Sequence, residues 1–558
     1  MNRRLFIKIS GVSFAGLITN APAFANMPPG HLLALPNKVF IQSGDQLFEL
    51  SSSDKSKWTT KDVEVLVKEI NNVLSVTVSS PTMPLSNVQL KWQQQFNSKA
   101  KYLNDHWERT YGDVLWEAPV TIKKLPWYFI QYDEKATHCF GVKTGAGSIC
   151  YWNIAADELL LTMDTKSGGD GVMLGDRKLH AADIITTIST AGERPFITGR
   201  RFCKLMCDKP RLAKLPVYGI NDWYFAYGNS SADLIMQHTN LLAPLATDTT
   251  NHPFSVIDAG WAKYSPLLPK DCCWQDDFSK PNENFKDMCK LAADVKETGM
   301  RPGLWTRPLC GSHDDAANLI LPSIPGRDDA KKPVLDPTIE ENIERVKRNI
   351  TIYKEWGFEL VKHDFSTFDI MGKWGFEMTE TMTTAGWRFN DHSKTNAEVI
   401  LHLYKSIREA AGSMYLIGCN TVSHLSAGIF EINRIGDDTS GNEWERTRKM
   451  GVNTLAFRGI QHNNFYAADA DCVGLTNKVP WAKNKQWMQL LAESGTPLLI
   501  SAQPDAVGAE QKAFIKKCFS SAAKKMPVGE PLDWMETITP KKWKLNGQVV
   551  NLDRKSVV

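Results

Sequence analysis

The 558-residue sequence predicts a multidomain β plus α/β protein, an N-terminal β-sandwich followed by a (β/α)8 TIM barrel and a short C-terminal β segment. Three observations carry this. Residues 26–212 alternate apolar and polar positions with period two between closely spaced turn signals. From about residue 214, short apolar runs alternate with longer helical stretches, the pattern of parallel strands joined by crossover helices. Eight such runs fit into roughly 290 residues, the number and size of a barrel, and a doubly wound sheet would want a glycine fingerprint after its first strand, which is absent.

Residues 1–25 open on MNRRLFIK, continue through the apolar ISGVSFAGLI and reach Ala23-Phe24-Ala25, a small-x-small cleavage site. Arg3-Arg4 fits a twin-arginine signal, and an ordinary secretory leader with two arginines fits as well. Export to a periplasmic or extracellular location is the expectation. Arg3, Arg4 and Lys8 account for the whole formal charge of +3, so the remainder is neutral. A neutral chain lacks the basic face that nucleic acid needs. No later run approaches the ~20 apolar residues of a membrane span.

The sandwich strands are plainest in KDVEVLVKEINNVLSVTVSS and SNVQLKWQQQF. Thr144–Gly147 is a lone Gly-rich turn and reads as a hairpin. In the barrel, residues 213–505, the eight strand candidates are Tyr218–Phe225, Phe254–Trp261, Arg301–Pro308, Phe358–Ser366, Met414–Asn420, Ile429–Asp437, Asn453–Gly459 and Pro497–Ser501. Residues 506–558 begin a C-terminal β domain. Their ending, WKLNGQVVNLDRKSVV, reads as a hairpin cut short, so a truncated domain is expected.

Eleven cysteines, odd in number and irregular in spacing, complete no zinc motif. Cys203 with Cys207, and the adjacent Cys272-Cys273, each lack a second half, so most cysteines are expected as buried free thiols. HExxH, GxSxG and Walker patterns are absent, and no cofactor or metal is expected.

Chemistry gathers where the strand candidates end. The run Phe358–Val361 stops on Lys362-His363-Asp364, and a buried strand ending in an unpaired carboxylate would be costly. At the C-terminal mouth of a barrel such a carboxylate is a reactive group. A cap for the following turn is the plain alternative. Other candidate strands end in Asn221-Asp222-Trp223, Asp258-Ala259-Gly260-Trp261, Trp305-Thr306-Arg307, Cys419-Asn420 and Arg434-Ile435-Gly436-Asp437-Asp438. Together they describe a pocket rimmed by carboxylates, cations and indoles, as a pyranose requires. Acetal cleavage needs two opposed carboxylates, one to protonate the leaving oxygen and one to attack C1 or activate water. Asp364 and Asp437 come from strands two apart and can face each other across the mouth. Trp223, Trp261 and Trp305 also suit plain packing, Arg434 also suits a pair with Asp438, and Asp469 and Asp471 suit turn positions.

The same stretches resemble glycoside hydrolase clan D, the α-galactosidase (melibiase) superfamily with its raffinose-synthase-like and α-N-acetylgalactosaminidase relatives. VIDAGW is similar to its DDGW, GLWTRP to GLWxEP, LVKHD to LKWD, NRIGDD to the acid/base segment, FYAADADCVGL to the DPDCL segment and SGTPLLIS to SGGPLxLS. The resemblance implies a retaining α-glycosidase that needs no cofactor and acts on an oligosaccharide or glycoconjugate. It assigns Asp364 as nucleophile, Asp437 as acid/base with Asp438 as the alternative, and Lys362 as a sugar ligand that also keeps Asp364 ionised. Asp222, Trp223, Asp258, Trp261, Trp305, Cys419, Asn420 and Arg434 are the expected substrate-binding set. Two positions depart: Ala259 replaces an aspartate that reads galactose hydroxyls, and His363 replaces an aromatic. A galactosyl transglycosylase, an α-N-acetylgalactosaminidase and a non-catalytic sugar-binding protein are the alternatives.

Overall fold

The computed structural model describes residues 33–118, 123–265, 270–325, 327 and 333–552. The leader and the terminal DRKSVV lie outside the described residues.

Two antiparallel sheets, of six and seven strands, form the N-terminal region. The period-two pattern has the expected effect: Val63–Val67, in the first part of the strand Val63–Ile70, and Val73–Ser80 alternate buried with half-buried positions. Asn71 and Asn72 join them at φ 51° and 66°, the primed two-residue turn that matches strand twist. Aromatic rings close the space between the sheets. Trp152 of the six-stranded sheet meets Phe129 and Phe140 of the other at centroid distances of 5.9 and 6.4 Å. Thr144–Gly147 is not a hairpin. It carries the chain from Thr137–Val142 in one sheet to Ile149–Ile154 in the other.

The second region is a parallel barrel sheet of β1 (Tyr218–Asn221), β2 (Phe254–Ile257), β3 (Arg301–Thr306), β4 (Leu360–His363), β5 (Tyr415–Gly418), β6 (Ile432–Arg434), β7 (Ala467–Asp469), β8 (Val473–Leu475) and β9 (Leu498–Ala502). Spatial order is β7-β6-β5-β4-β3-β2-β1-β9-β8. The ends of this ladder, β7 and β8, are consecutive pieces of chain separated by Ala470–Cys472, with Asp471 at φ 72°. They act as one broken stave, so the barrel has eight positions. Val217, Phe254, Val256, Leu360, Ile417, Ile432 and Ala467 pack as one buried cluster contributed mainly by its strands.

The seventh predicted strand is displaced. Asn453–Gly459 is mostly helical, Thr454–Arg458 continuing a π-helical turn over Arg448–Asn453. The chain approaches so closely there that a Cβ on Gly436 would sit 1.9 Å from the Met450 carbonyl oxygen. The stave is built instead from β7 and β8. Helices follow their patterns: Glu340–Glu355 buries Ile343, Val346, Ile350 and Tyr353 on one face, and Thr395 caps Asn396–Ala411 in a capping box with Glu398. Three short strands end the described chain, with Lys542–Leu545 and Gln548–Asn551 joined through Asn546-Gly547 and Trp543 buried beneath. No described helix is long and apolar enough to cross a membrane.

Candidate active site

The strands end together, and their last residues are wired to one another. Asp258, just beyond β2, is the hub. Its Oδ2 accepts from Asn221 Nδ2 and from Lys362 Nζ, both at 2.7 Å, while its Oδ1 accepts from the Ala259 amide. Asp222 in turn accepts from the Asp258 amide at 2.7 Å. Burial, and then the neighbouring Asp258 charge, push the Asp222 carboxyl up to about 6. Lys362 therefore pairs with Asp258 rather than directly with Asp364. Burial works against the Lys362 ammonium, but the Asp258 charge overrides it and holds the group well above the ordinary lysine range.

Asp364 follows β4 and is 8 % exposed. Oδ1 accepts from the amides of Phe365 (2.8 Å) and Asn420 (3.0 Å), and Oδ2 from Trp305 Nε1 (3.1 Å). Three donors converge on a carboxylate at the mouth, and Phe365 takes a left-handed φ of 64° as the chain turns away. Burial alone would raise the Asp364 pKa. The Arg109 guanidinium and then the Lys362 ammonium outweigh it and hold the carboxyl below the usual carboxylate range.

Across the mouth stand Asp437 and Asp438. Asp437 lies between two guanidiniums, Arg109 Nη2 at 3.1 Å and Arg446 Nη2 at 2.7 Å. Asp438 pairs with Arg434 Nη2 at 3.2 Å, and its negative charge bears on Asp364. Although burial opposes it, Arg434 and Arg109 hold Asp438 well below the ordinary range. Side-chain exposure rises from 3 % at Asp258 to 14 % at Asp437 and 33 % at Asp438, which sets the deep and the open ends of the site.

Arg109 was not a sequence candidate. It belongs to a segment of the N-terminal region that is laced to the end of β6: the Thr110 amide donates to Ile435 O (3.0 Å), and Thr110 O accepts from the Asp437 amide (2.8 Å). A buried ion pair between Arg458 and Asp105 at 2.9 Å holds the segment, and Arg458 Nη1 also donates to Glu108 O and Ile435 O. Glu108 is fully buried beside it. It accepts from Tyr111, Asn420 and Gly375, and burial pushes its carboxyl up to about 7. Tyr111 and Trp374 flank the Arg109 guanidinium at 5.5 and 5.6 Å. The sequence signal was the dense WERTYG run in an otherwise apolar–polar alternation, which no local period connects to Cys419 and Asp437, more than 300 residues away.

The remaining candidates divide. Trp305 holds Asp364, and half-buried Trp223 lies against Tyr227. Trp261 is fully buried, donates to Trp305 O and packs on Phe278, Tyr353 and Trp356, so its role is packing. Cys419 is buried, with Arg109 Nη1 3.3 Å from its sulfur. Asn420 spends its side chain on Glu108 and the Phe368 amide. Arg434 is 1 % exposed and bridges Asp438 and Asp471. Asp471 also accepts from Thr439 and Tyr224, which makes it a structural hub. His363 points away from the site: burial pushes its ring down to about 3, and it packs between Tyr404 and Phe430 as the expected aromatic would. Among the described residues, Asp271, Cys272 and Cys273 alone bring three metal-type donors within 4.8 Å of one another.

No family model matches the chain. Solved structures do. An α-galactosidase from Thermus thermophilus, in complex with p-nitrophenyl α-D-galactopyranoside, aligns over 92 % of this chain and 99 % of its own at 16 % identity and a TM-score of 0.58. A variant of the GH36 α-galactosidase AgaA from Geobacillus stearothermophilus, in complex with 1-deoxygalactonojirimycin, aligns over 89 % and 73 % at 12 % identity and a TM-score of 0.58. The galactosidase domain of the α-galactosidase-sucrose kinase AgaSK aligns over 88 % and 70 % at 15 % identity and a TM-score of 0.55. The chain has the fold of GH36 α-galactosidases.

Proposed function

We propose that this protein is a retaining α-glycosidase that hydrolyses α-galactoside-like substrates. One observation carries the reading: the Asp364 carboxylate, at the mouth of a barrel, takes three hydrogen bonds, is held ionised by Arg109 and Lys362 against burial, and feels the charge of a second carboxylate, Asp438. An ionised carboxylate fixed on both oxygens is a competent nucleophile at neutral pH and pays little to reorient on attack at C1. The fold shared with α-galactosidases supports the same substrate class.

In the proposed reaction Asp364 attacks the anomeric carbon while a second acid protonates the leaving oxygen; water then enters under general base assistance from that same residue. Asp437 is the proposed acid/base. Asp438, which Arg434 and Arg109 hold ionised, is the alternative. The Asp258–Lys362 pair and Asn221 present the polar groups that would read ring hydroxyls. Ala259 offers none, which weakens discrimination at that position. Raffinose-type oligosaccharides fit the proposed class because solved neighbours hold stachyose and raffinose. Export through the leader of residues 1–25 belongs to the same proposal, and fractionation of cells expressing a tagged chain tests it.

The test is an aryl α-galactoside assay on wild type, Asp364→Asn, Asp437→Asn and Asp438→Asn. Asp364→Asn is expected to lose turnover with its fold intact. Asp437→Asn is expected to regain turnover with azide and release an azido sugar, whereas Asp438→Asn is not. Wild-type-like turnover in Asp364→Asn, or azide rescue confined to Asp438→Asn, would overturn the assignment of roles.

A further inference from the structure

Cys272 and Cys273 remain outside everything assigned above. Eight of the eleven cysteines are buried and Cys289 stands exposed, whereas these two are adjacent and both half-buried. They are the central residues of a tight turn: the Trp274 amide donates to Asp271 O at 3.2 Å, and Asp271 Oδ1 accepts from the Cys273 amide at 2.9 Å. Their sulfurs are 3.7 Å apart in a thiol–thiol hydrogen bond.

The turn is part of the site wall. Cys273 O accepts from Arg307 Nη1 at 3.2 Å. Arg307 is ion-paired to buried Asp369 at 2.6 Å, and its guanidinium lies 4.2 Å from the rings of both Trp274 and Phe365, the residue after Asp364. On the other side Cys272 fits against Gly228, where a Cβ would come within 2.4 Å of the Cys272 Cβ. Gly228 in turn touches Gly260, two residues beyond Asp258. A cysteine pair in this position is clamped by the loops that follow β1, β2 and β3.

We propose that Cys272 and Cys273 are a reversible redox pair that closes to a vicinal disulfide in the wall of the site. The oxidant is a small-molecule or protein disulfide. The Cys272 thiolate attacks one of its sulfurs, forming a mixed disulfide and releasing one thiolate. Cys273 then loses its proton and attacks the Cys272 sulfur, expelling the second thiolate. Two protein thiols and one external disulfide thus become one protein disulfide and two external thiols. Sulfurs already 3.7 Å apart place Cys273 within reach of a mixed disulfide on Cys272. Adjacent Cα atoms lie about 3.8 Å apart, shorter than the usual disulfide span of about 4.4–6.8 Å. The closed ring is therefore strained and easily reduced, as suits a switch rather than a staple. The inference does not depend on the proposed glycosidase activity, because its readout is thiol chemistry.

The experiment uses the reduced full chain with a chelator present, since Asp271, Cys272 and Cys273 would also seat a soft cation. Oxidised glutathione is added, free thiols are alkylated and peptides are weighed. The peptide with residues 272–273 is expected to escape alkylation, lose two hydrogens and recover both thiols with dithiothreitol. Cys273→Ser is expected to stop at a glutathione adduct on Cys272. If Cys273→Ser does not fold, the wild-type peptide map decides alone. Two alkylated cysteines after oxidation, or a glutathione adduct that persists in wild type, would overturn the proposal.

Discussion

Arg109 Nη2 lies 3.1 Å from Asp437 Oδ1, so a side chain of the N-terminal β region completes the charge balance at the barrel mouth. The same guanidinium is the largest favourable influence holding Asp364 ionised, ahead of Lys362. The N-terminal region is in this sense part of the site, fixed there by the Thr110 backbone bonds to Ile435 and Asp437.

Replacing Arg109 with methionine is expected to cut kcat/KM by about 100-fold, the scale of losing a preorganised charge aimed at a reacting group. The sign of the pH effect follows from the charge. Without Arg109 the Asp364 pKa rises, a higher pH is needed to ionise it, and the acid limb of kcat/KM moves upward. An acid limb unmoved in Arg109→Met would show that Arg109 does not act on the nucleophile.

Lys362 and Asp258 form a buried pair at 2.7 Å, and removing one partner strands the other. Lys362→Met is expected to cost about 3–5 kcal/mol in urea unfolding. The double variant with Asp258→Asn should lose much less than the sum of the single changes, since neither then leaves an unpaired charge. Additive losses would mean that the two groups are not coupled.

Trp305 donates to Asp364 Oδ2 at 3.1 Å and its ring meets Phe365. Trp305→Phe keeps most of the packing and removes one hydrogen bond to a charged acceptor, worth about 1.5–3 kcal/mol. The expected result is kcat lowered about 10- to 100-fold, with KM nearly constant. A change confined to KM would place Trp305 at the substrate rather than behind the nucleophile.

Much of this site was legible because its residues end strands. Leu360–Val361 is an apolar run that stops on Lys362 and Asp364, and the same grammar located β1, β2, β3, β5 and β6. The broken stave was illegible for a physical reason: β7 and β8 have three residues each, whereas apolar Asn453–Gly459 is the end of a helix packed on Gly436. Arg109, Glu108 and Tyr111 could not be read either. Their partners Cys419, Asn420 and Asp437 are more than 300 residues away, and contacts so distant leave no local periodicity. Lys362 reads from the sequence as a sugar ligand that keeps Asp364 ionised, but its nearest partner, Asp258, is set by the register of β2, β3 and β4 rather than by its two-residue spacing from Asp364.

Burial pushes the rings of His106, His238, His363 and His462 down to about 3 and that of His424 to about 4. In the unfolded chain each titrates near 6.5. The folded pKa lies below the unfolded one, so the unfolded chain takes up protons that the folded chain refuses. Stability is then complete above about pH 6.5 and lost as pH falls, by about 1.4 kcal/mol per pH unit for each histidine. His363 is the cleanest probe: neither ring nitrogen has a hydrogen-bond partner among the described residues, and its ring lies 5.5 and 5.6 Å from those of Tyr404 and Phe430. A phenylalanine there keeps the shape and removes two unsatisfied buried polar atoms. His363→Phe is expected to match or exceed wild-type stability at pH 7. Between pH 6 and pH 4 its urea midpoint should decline less steeply, by the slope of one histidine. An unchanged acid slope, or a loss of several kcal/mol at pH 7, would show that the His363 ring is held by something other than packing.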